Sequence, residues 1–143
     1  MPAALIALHE FAGGQSIDYL RNVVGLTPSG TVRLVDRLAA AGLVARRDGV
    51  DGRTLSVVLT ARGRRVAAAT LAARARVLDE LLDELDPAAR AGLTVAAEAL
   101  LGSITDGREA ARHICRMCDG DACGHHEGRC PVTRAADAAE ATA

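Results

Sequence analysis

Lysine and tryptophan are absent from this 143-residue chain, phenylalanine and tyrosine occur once each, and no cysteine precedes position 115. With no lysine, all seventeen basic side chains are arginines, and any cationic surface is a guanidinium surface. With so few aromatics, the apolar half of the chain is nearly all Ala, Leu and Val, which favours helices over strands. No basic leader precedes "MPAALIALHE", and that apolar run is too short to span a bilayer. A cytoplasmic protein without a membrane partner is therefore expected. No phosphate-cradling glycine loop, paired-carboxylate pocket or nucleophile–base set is recognisable, so catalysis is not expected.

The length supports one compact domain with a small appendage. Its net charge of −1 is unevenly spread. Residues 27–65 hold eight Arg against three Asp, whereas residues 66–143 hold eight Arg against thirteen acids. A basic middle third in a nearly neutral chain points to a local polyanion site, although a solvated basic face has the same composition.

Helical spacing recurs at Ala4, Leu5, Leu8 and Phe11, and Gly13-Gly14 stops it. Ser16 can cap a short second helix with Ile17, Leu20 and Val24 as its buried face, ended by Gly25. In "LTPSGTVRLVDRLAAAGLV", Thr27 is an N-cap and Pro28 takes the first helical position. Val32, Val35, Leu38 and Ala39 supply the apolar stripe of this helix, with Leu34 beside it. The period then changes: "LVARR" and "TLSVVLT" read as strands, with Leu55, Val57 and Leu59 on one face and two Asp-Gly turn signals between them. Two short helices joined by a tight turn and followed by a hairpin make a winged helix-turn-helix.

From Arg64 the helical period returns. Ala68, Leu71, Ala75, Leu78, Leu82 and Leu85 form a coiled-coil-like seam, and Asp86-Pro87 opens a further helix with the stripe Leu93, Ala97, Leu100 and Ile104. Such narrow seams predict self-association, with packing of the two helices on each other as the alternative. The expected organisation is a winged helix-turn-helix over residues 1–63, helical dimerisation over 64–112, a Cys-rich metal-binding segment over 113–131 and a disordered tail over 132–143. The fold class is mainly α with a small β-hairpin.

Sequence-specific DNA binding needs a helix whose side chains reach base edges in the major groove. Ser29, Arg33 and Arg37 lie at i, i+4 and i+8 on the polar side of the third helix, with Gly30 and Thr31 near its start. Arg33 is the candidate base reader, since a guanidinium pairs bidentately with guanine; a solvated arginine is the alternative. Ser29, Gly30 and Thr31 suit phosphate or base contacts, or are simply helix-start residues. Arg37 is placed to meet the backbone or to pair with Asp36. Arg53 in the hairpin would enter the minor groove or touch phosphate, and pairing with Asp48 or Asp51 is compatible with either.

The run from Leu26 to Arg64 resembles the core of the MarR family of bacterial winged-helix repressors. The resemblance is carried by Leu26-Thr27-Pro28-Ser29, Leu34-Val35-Asp36-Arg37-Leu38, Gly42-Leu43-Val44, the wing Asp51-Gly52-Arg53, and Leu59-Thr60 followed by Gly63. It implies a homodimeric transcriptional repressor on a pseudo-palindromic duplex site, released by an inducer the sequence does not name. The matching recognition helix and Arg53 would contact DNA. The family usually opens with another long helix that builds much of the dimer interface. Met1 falls inside what resembles the second family helix, so either the chain is short at that end or dimerisation rests on residues 64–104. An aromatic-ligand pocket would have only Phe11 and Tyr19 for stacking. A winged-helix protein-interaction adaptor stabilised by structural zinc is the rival function.

All four cysteines fall in "CRMCDGDACGHHEGRC", spaced Cys115-x2-Cys118-x4-Cys123-x6-Cys130. Four thiols are a sufficient zinc set, and C-x2-C lets one turn supply two of them. Zinc is the first expectation. An iron–sulfur cluster, thiol–disulfide sensing and free thiols all share this spacing. His113, His125 and His126 are nearby and read as solvated residues rather than ligands.

Overall fold

The computed structural model describes residues 1–48 and 54–142. Helices α1 (Pro2–Glu10), α2 (Ile17–Val24) and α3 (Pro28–Ala40) are followed by a hairpin of β1 (Val44–Asp48) and β2 (Leu55–Leu59). Then come α4 (Ala61–Asp83), α5 (Pro87–Ser103), α6 (Arg108–Ile114), a 3-10 turn (Cys115–Met117) and α7 (Pro131–Ala141). None of these helices is long and apolar enough to cross a membrane.

Local chemistry sets the helix ends. Ser16 Oγ accepts from the Tyr19 N–H at 3.1 Å, and Gly25 closes α2 in the left-handed region at φ 67°. Burial of α2 falls on Leu20 and Val23, both fully covered, while Ile17 and Val24 are only half-buried. These side chains join Leu5, Val35, Leu38 and Val57 in one core.

The hairpin pairs Val44 with Leu59 and Asp48 with Leu55 in antiparallel register. Val57 and Leu59 face the core as expected, but Leu55, paired at the outer end, stays about half exposed. The other edge of β2 is also covered. The Gly14 N–H donates to Val57 O, and the Val57 N–H donates to Gln15 O, both at 3.0 Å. The segment before α2 thus acts as a third, minimal strand.

Thr60 joins the wing to α4. Its hydroxyl caps the Gly63 N–H at 3.0 Å and donates to Gly42 O at 2.7 Å. Gly63 lies so close beneath the turn that an added Cβ would stand 1.9 Å from the Leu43 carbonyl oxygen. Both partners are main chain, so neither rotates away. Gly63→Ala is expected to cost at least about 3 kcal/mol, the upper range for overpacking, and to lower the midpoint of denaturant unfolding accordingly.

Only the first half of α4 is buried, with Gly63 beneath Leu43 and Ala67 and Leu71 following it, and α4 packs on α1. Beyond it, Val77, Leu78, Leu81 and Leu85 are exposed, as are Leu93, Leu100 and Ile104 on α5. α5 packs on α7 rather than on α4. Of the expected seam on α4, Leu71 is buried and Leu82 half-buried, whereas Ala68, Ala75, Leu78 and Leu85 are exposed. The Arg90–Asp83 ion pair at 3.1 Å joins α5 to the end of α4, without extensive packing of one helix on the other.

Residues 132–143 were expected as a disordered tail; through Ala141 they instead belong to α7. Pro131 occupies the first turn, and Val132 and Ala136, one turn apart, bury with Ala111 and Cys130 in a small second core. The boundary expected at 112/113 falls inside α6. The cysteine segment is accordingly no appendage: α6 packs on α2, and the 3-10 turn packs on α1.

Candidate nucleic-acid interface

The start of α3 is built by its cap. Thr27 Oγ1 accepts from the Gly30 N–H at 3.2 Å, and Pro28 fills the first turn without wasting a donor. A Cβ on Gly30 would meet Thr27 Oγ1 at 3.0 Å, so the absent side chain lets the cap close. Gly30 contributes a spent N–H rather than a free one.

Thr31 is a correction to the expected contact set. It is fully buried, and its hydroxyl donates to Thr27 O at 3.0 Å. Thr31, Leu34, Val35 and Leu38 form the covered arc of α3. An inward-facing threonine with a satisfied hydroxyl is unavailable to a ligand. Val32 moves the other way: assigned to the apolar stripe, it is 43% exposed beside Arg33. On the helical wheel it stands about 100° beyond Thr31, past the edge of the arc, and that spacing was the available signal.

Ser29, Arg33 and Arg37 are exposed along one line of α3. Asp36, the carboxylate expected to compete for Arg37, is bound elsewhere: Arg46 on β1 donates to its Oδ1 at 2.5 Å. This pair ties the first wing strand to α3. It also leaves Arg33 and Arg37 without a carboxylate partner among the described residues. Arg47 is exposed, and its carbonyl accepts the buried Ser56 hydroxyl at 3.2 Å. Arg62 and Arg65 are exposed at the start of α4. Arg53 and its aspartate neighbour Asp51 lie outside the described residues.

The four cysteines lie away from this face. All line a cavity of about 430 Å³ that also touches Phe11 and Tyr19. Cys115 and Cys118 bracket the 3-10 turn, with the Cys118 N–H donating to Cys115 O at 2.9 Å. Cys123 Sγ contacts Gly120 O at 3.5 Å, and Cys130 sits buried at the N-cap position of α7 without a side-chain capping bond. The Cys118 thiol is lowered to about 7, first by a hydrogen bond from Cys115 and further by the Arg74 guanidinium. Cys115, donor in that pair, is pushed up, and burial raises Cys123. All four are free, and among the described residues no three His, Cys, Asp or Glu side chains converge on one coordination point. His113 is exposed, and its Nδ1 also lies 3.1 Å from Val23 O at the end of α2.

A capped helix carrying exposed guanidiniums, braced by a hairpin wing, defines a winged helix-turn-helix protein. Residues 3–54 match the family model described as MarR family. The chain resembles the crystal structure of RV1404 from Mycobacterium tuberculosis at 30% identity, with a TM-score of 0.63 over 72% of this chain and 71% of that one. It also resembles the M. tuberculosis MarR family protein RV2887 at 24% identity, TM-score 0.54, over 70% of this chain and 72% of that one. The Staphylococcus aureus MepR–DNA complex shares the fold, at 16% identity and TM-score 0.54 over 71% of this chain and 74% of that one. None of the curated proteins matches. The chain belongs to the MarR family, whose members are DNA-binding transcription regulators and not enzymes.

Proposed function

We propose that the protein is a homodimeric repressor that reads a pseudo-palindromic duplex through two copies of α3. The observation that carries this is the pair of exposed guanidiniums Arg33 and Arg37 on the open face of a capped helix, without a carboxylate partner among the described residues, with Asp36 held off by Arg46. Arg33, nearer the helix start, reads a base edge, with Val32 beside it able to meet a thymine methyl group. Ser29 and Arg37 contact backbone phosphates and set the register, and Arg53 in the wing extends those contacts. The apolar stripes on α4 and α5 supply the partner-binding surface, which spaces the two heads by about one helical turn of DNA, roughly 34–36 Å.

The cysteine cluster takes no part in base contact in this scheme. A metal or redox response would act through the placement of α1 and α5.

A salt series on a selected duplex tests the reading. Arg37 and Arg53 from each of two heads would neutralise four phosphates, which implies a log–log slope of about −3.6, because neutralised phosphates release their counterions. Affinity indifferent to salt would refute an arginine-on-phosphate interface. Failure to enrich any site from a randomised DNA pool would favour the protein-docking adaptor instead.

A further inference from the structure

The cysteine segment is gripped from outside by the reading head. The Gly120 N–H donates to Glu10 Oε2 of α1 at 2.9 Å, and Arg74 of α4 donates to Met117 O. His113 reaches Val23 O at the end of α2, and its ring lies 2.8 Å from where a Cβ on Gly25 would stand. On the other side, α7 rests on α5. Residues 108–141 therefore bridge the reading head and the helix that carries one apolar stripe.

Little apolar burial holds this bridge. Its core is Ala111, Cys130, Val132 and Ala136, all small or medium side chains, and residues 119–129 hold no helix or strand. So small a core needs a staple. The thiols present one. They fall in the chain as two pairs, Cys115 with Cys118 and Cys123 with Cys130, and all four line one cavity. Disulfides within the pairs would each close a short local loop and leave the end of α6 unlinked to the start of α7. A centre bonded to both pairs joins them without an oxidant, whereas a disulfide across the pairs would need one.

We propose that Cys115, Cys118, Cys123 and Cys130 bind one zinc-class divalent ion, and that this ion clasps the α6–α7 segment onto the reading head. Four sulfur donors suit a tetrahedral, borderline-soft d¹⁰ ion and leave no open position for a substrate. Binding draws the two pairs into one tetrahedron, each thiol releasing its proton to solvent as its metal–sulfur bond forms. Four thiolates in one cavity repel one another, and a dication offsets that repulsion.

The test uses the reduced full-length protein titrated with Co²⁺ and then Zn²⁺, without DNA, so its outcome is independent of the regulator reading. One Co²⁺ per chain is expected, with thiolate-to-cobalt charge-transfer and tetrahedral ligand-field bands that one equivalent of Zn²⁺ abolishes. Cys115→Ser and Cys130→Ser, one from each pair, should each weaken binding by more than the ~10–100-fold typical of losing an outer-shell partner. Hydrogen exchange on the unaltered protein covers the case in which a variant does not fold. Chelation should speed exchange across residues 108–130 and at the C-terminal end of α1. Absence of the cobalt bands, or two intrapair disulfides in the purified protein with no metal uptake after reduction, would overturn the site. Metal uptake with unchanged exchange would overturn the clasp.

Discussion

Leu81→Glu combined with Leu93→Glu is expected to leave the chain folded but monomeric, with affinity for a two-half-site duplex lowered by about 10²–10⁴-fold. Both leucines are at least half exposed in the single chain, so the glutamates need displace nothing there. Surface changes of this kind usually shift stability by no more than about 0.5 kcal/mol. In a dimer the result differs. Val77, Leu78 and Leu81 occupy a stripe roughly 100° wide on α4, continued by Leu85 just beyond it, and Leu93 and Leu100 share one side of α5, followed by Ile104 at its C-cap. Burying one such leucine contributes about 1.5–3 kcal/mol, and an unpaired carboxylate in its place costs several more. Without the partner, each head binds its half-site alone and the avidity term is lost. Sedimentation equilibrium with a duplex titration checks both halves. A doubly substituted protein that remains dimeric would place the interface elsewhere.

Arg33→Ala is expected to remove about 1–3 kcal/mol of base discrimination per half-site, and twice that for a dimer occupying both. Arg33→Lys should fail to restore it, because an ammonium keeps the charge but cannot make the bidentate pair with guanine. Arg37→Ala should lower affinity for all sequences alike and make the salt slope shallower by about one contact per half-site. The measurement is a competition of the selected duplex against single-base variants at fixed salt. Equal losses across all variants would reassign Arg33 to a phosphate.

Much of this architecture was legible in the residues because it depends on neighbours within one helical turn. Thr27, Ser16 and Asp86 cap α3, α2 and α5, each accepting from the N–H three residues ahead. Gly25 and Gly42 take positive φ at the ends of α2 and α3, where a side chain would be strained. The change from helical to alternating period located the wing, and the family resemblance followed from that order. Charge placement was legible in outline only. Asp36 lies beside Arg37 in sequence yet pairs with Arg46 ten residues away, since the wing strand folds back across α3.

Errors concentrated where burial depends on a distant partner. Val23 and Val24 are equally apolar, and only the packing of α2 selected the former. Thr31 and Val32 exchanged expected places because hydrophobicity names a stripe but not its edges. Residues 131–141 are alanine-rich and polar, and nothing local says that α5 and α6 will offer Val132 and Ala136 a surface. The converse holds for α4: its apolar content was plain in the sequence, but which part stays uncovered was not, since Leu71 of the expected seam is buried while Val77 and Leu81, outside it, are exposed.

By itself, then, the sequence determined the winged helix-turn-helix, its capped recognition helix, the row Ser29, Arg33 and Arg37, and the four-thiol set. These follow from backbone torsions, caps and periods acting over a few residues. The tertiary structure alone decided which arginines meet no carboxylate among the described residues, which threonine is core, and that the cysteine segment bridges α1 and α7. Those outcomes rest on contacts up to 110 residues apart in the chain, such as Gly120 on Glu10, whose formation no local propensity encodes.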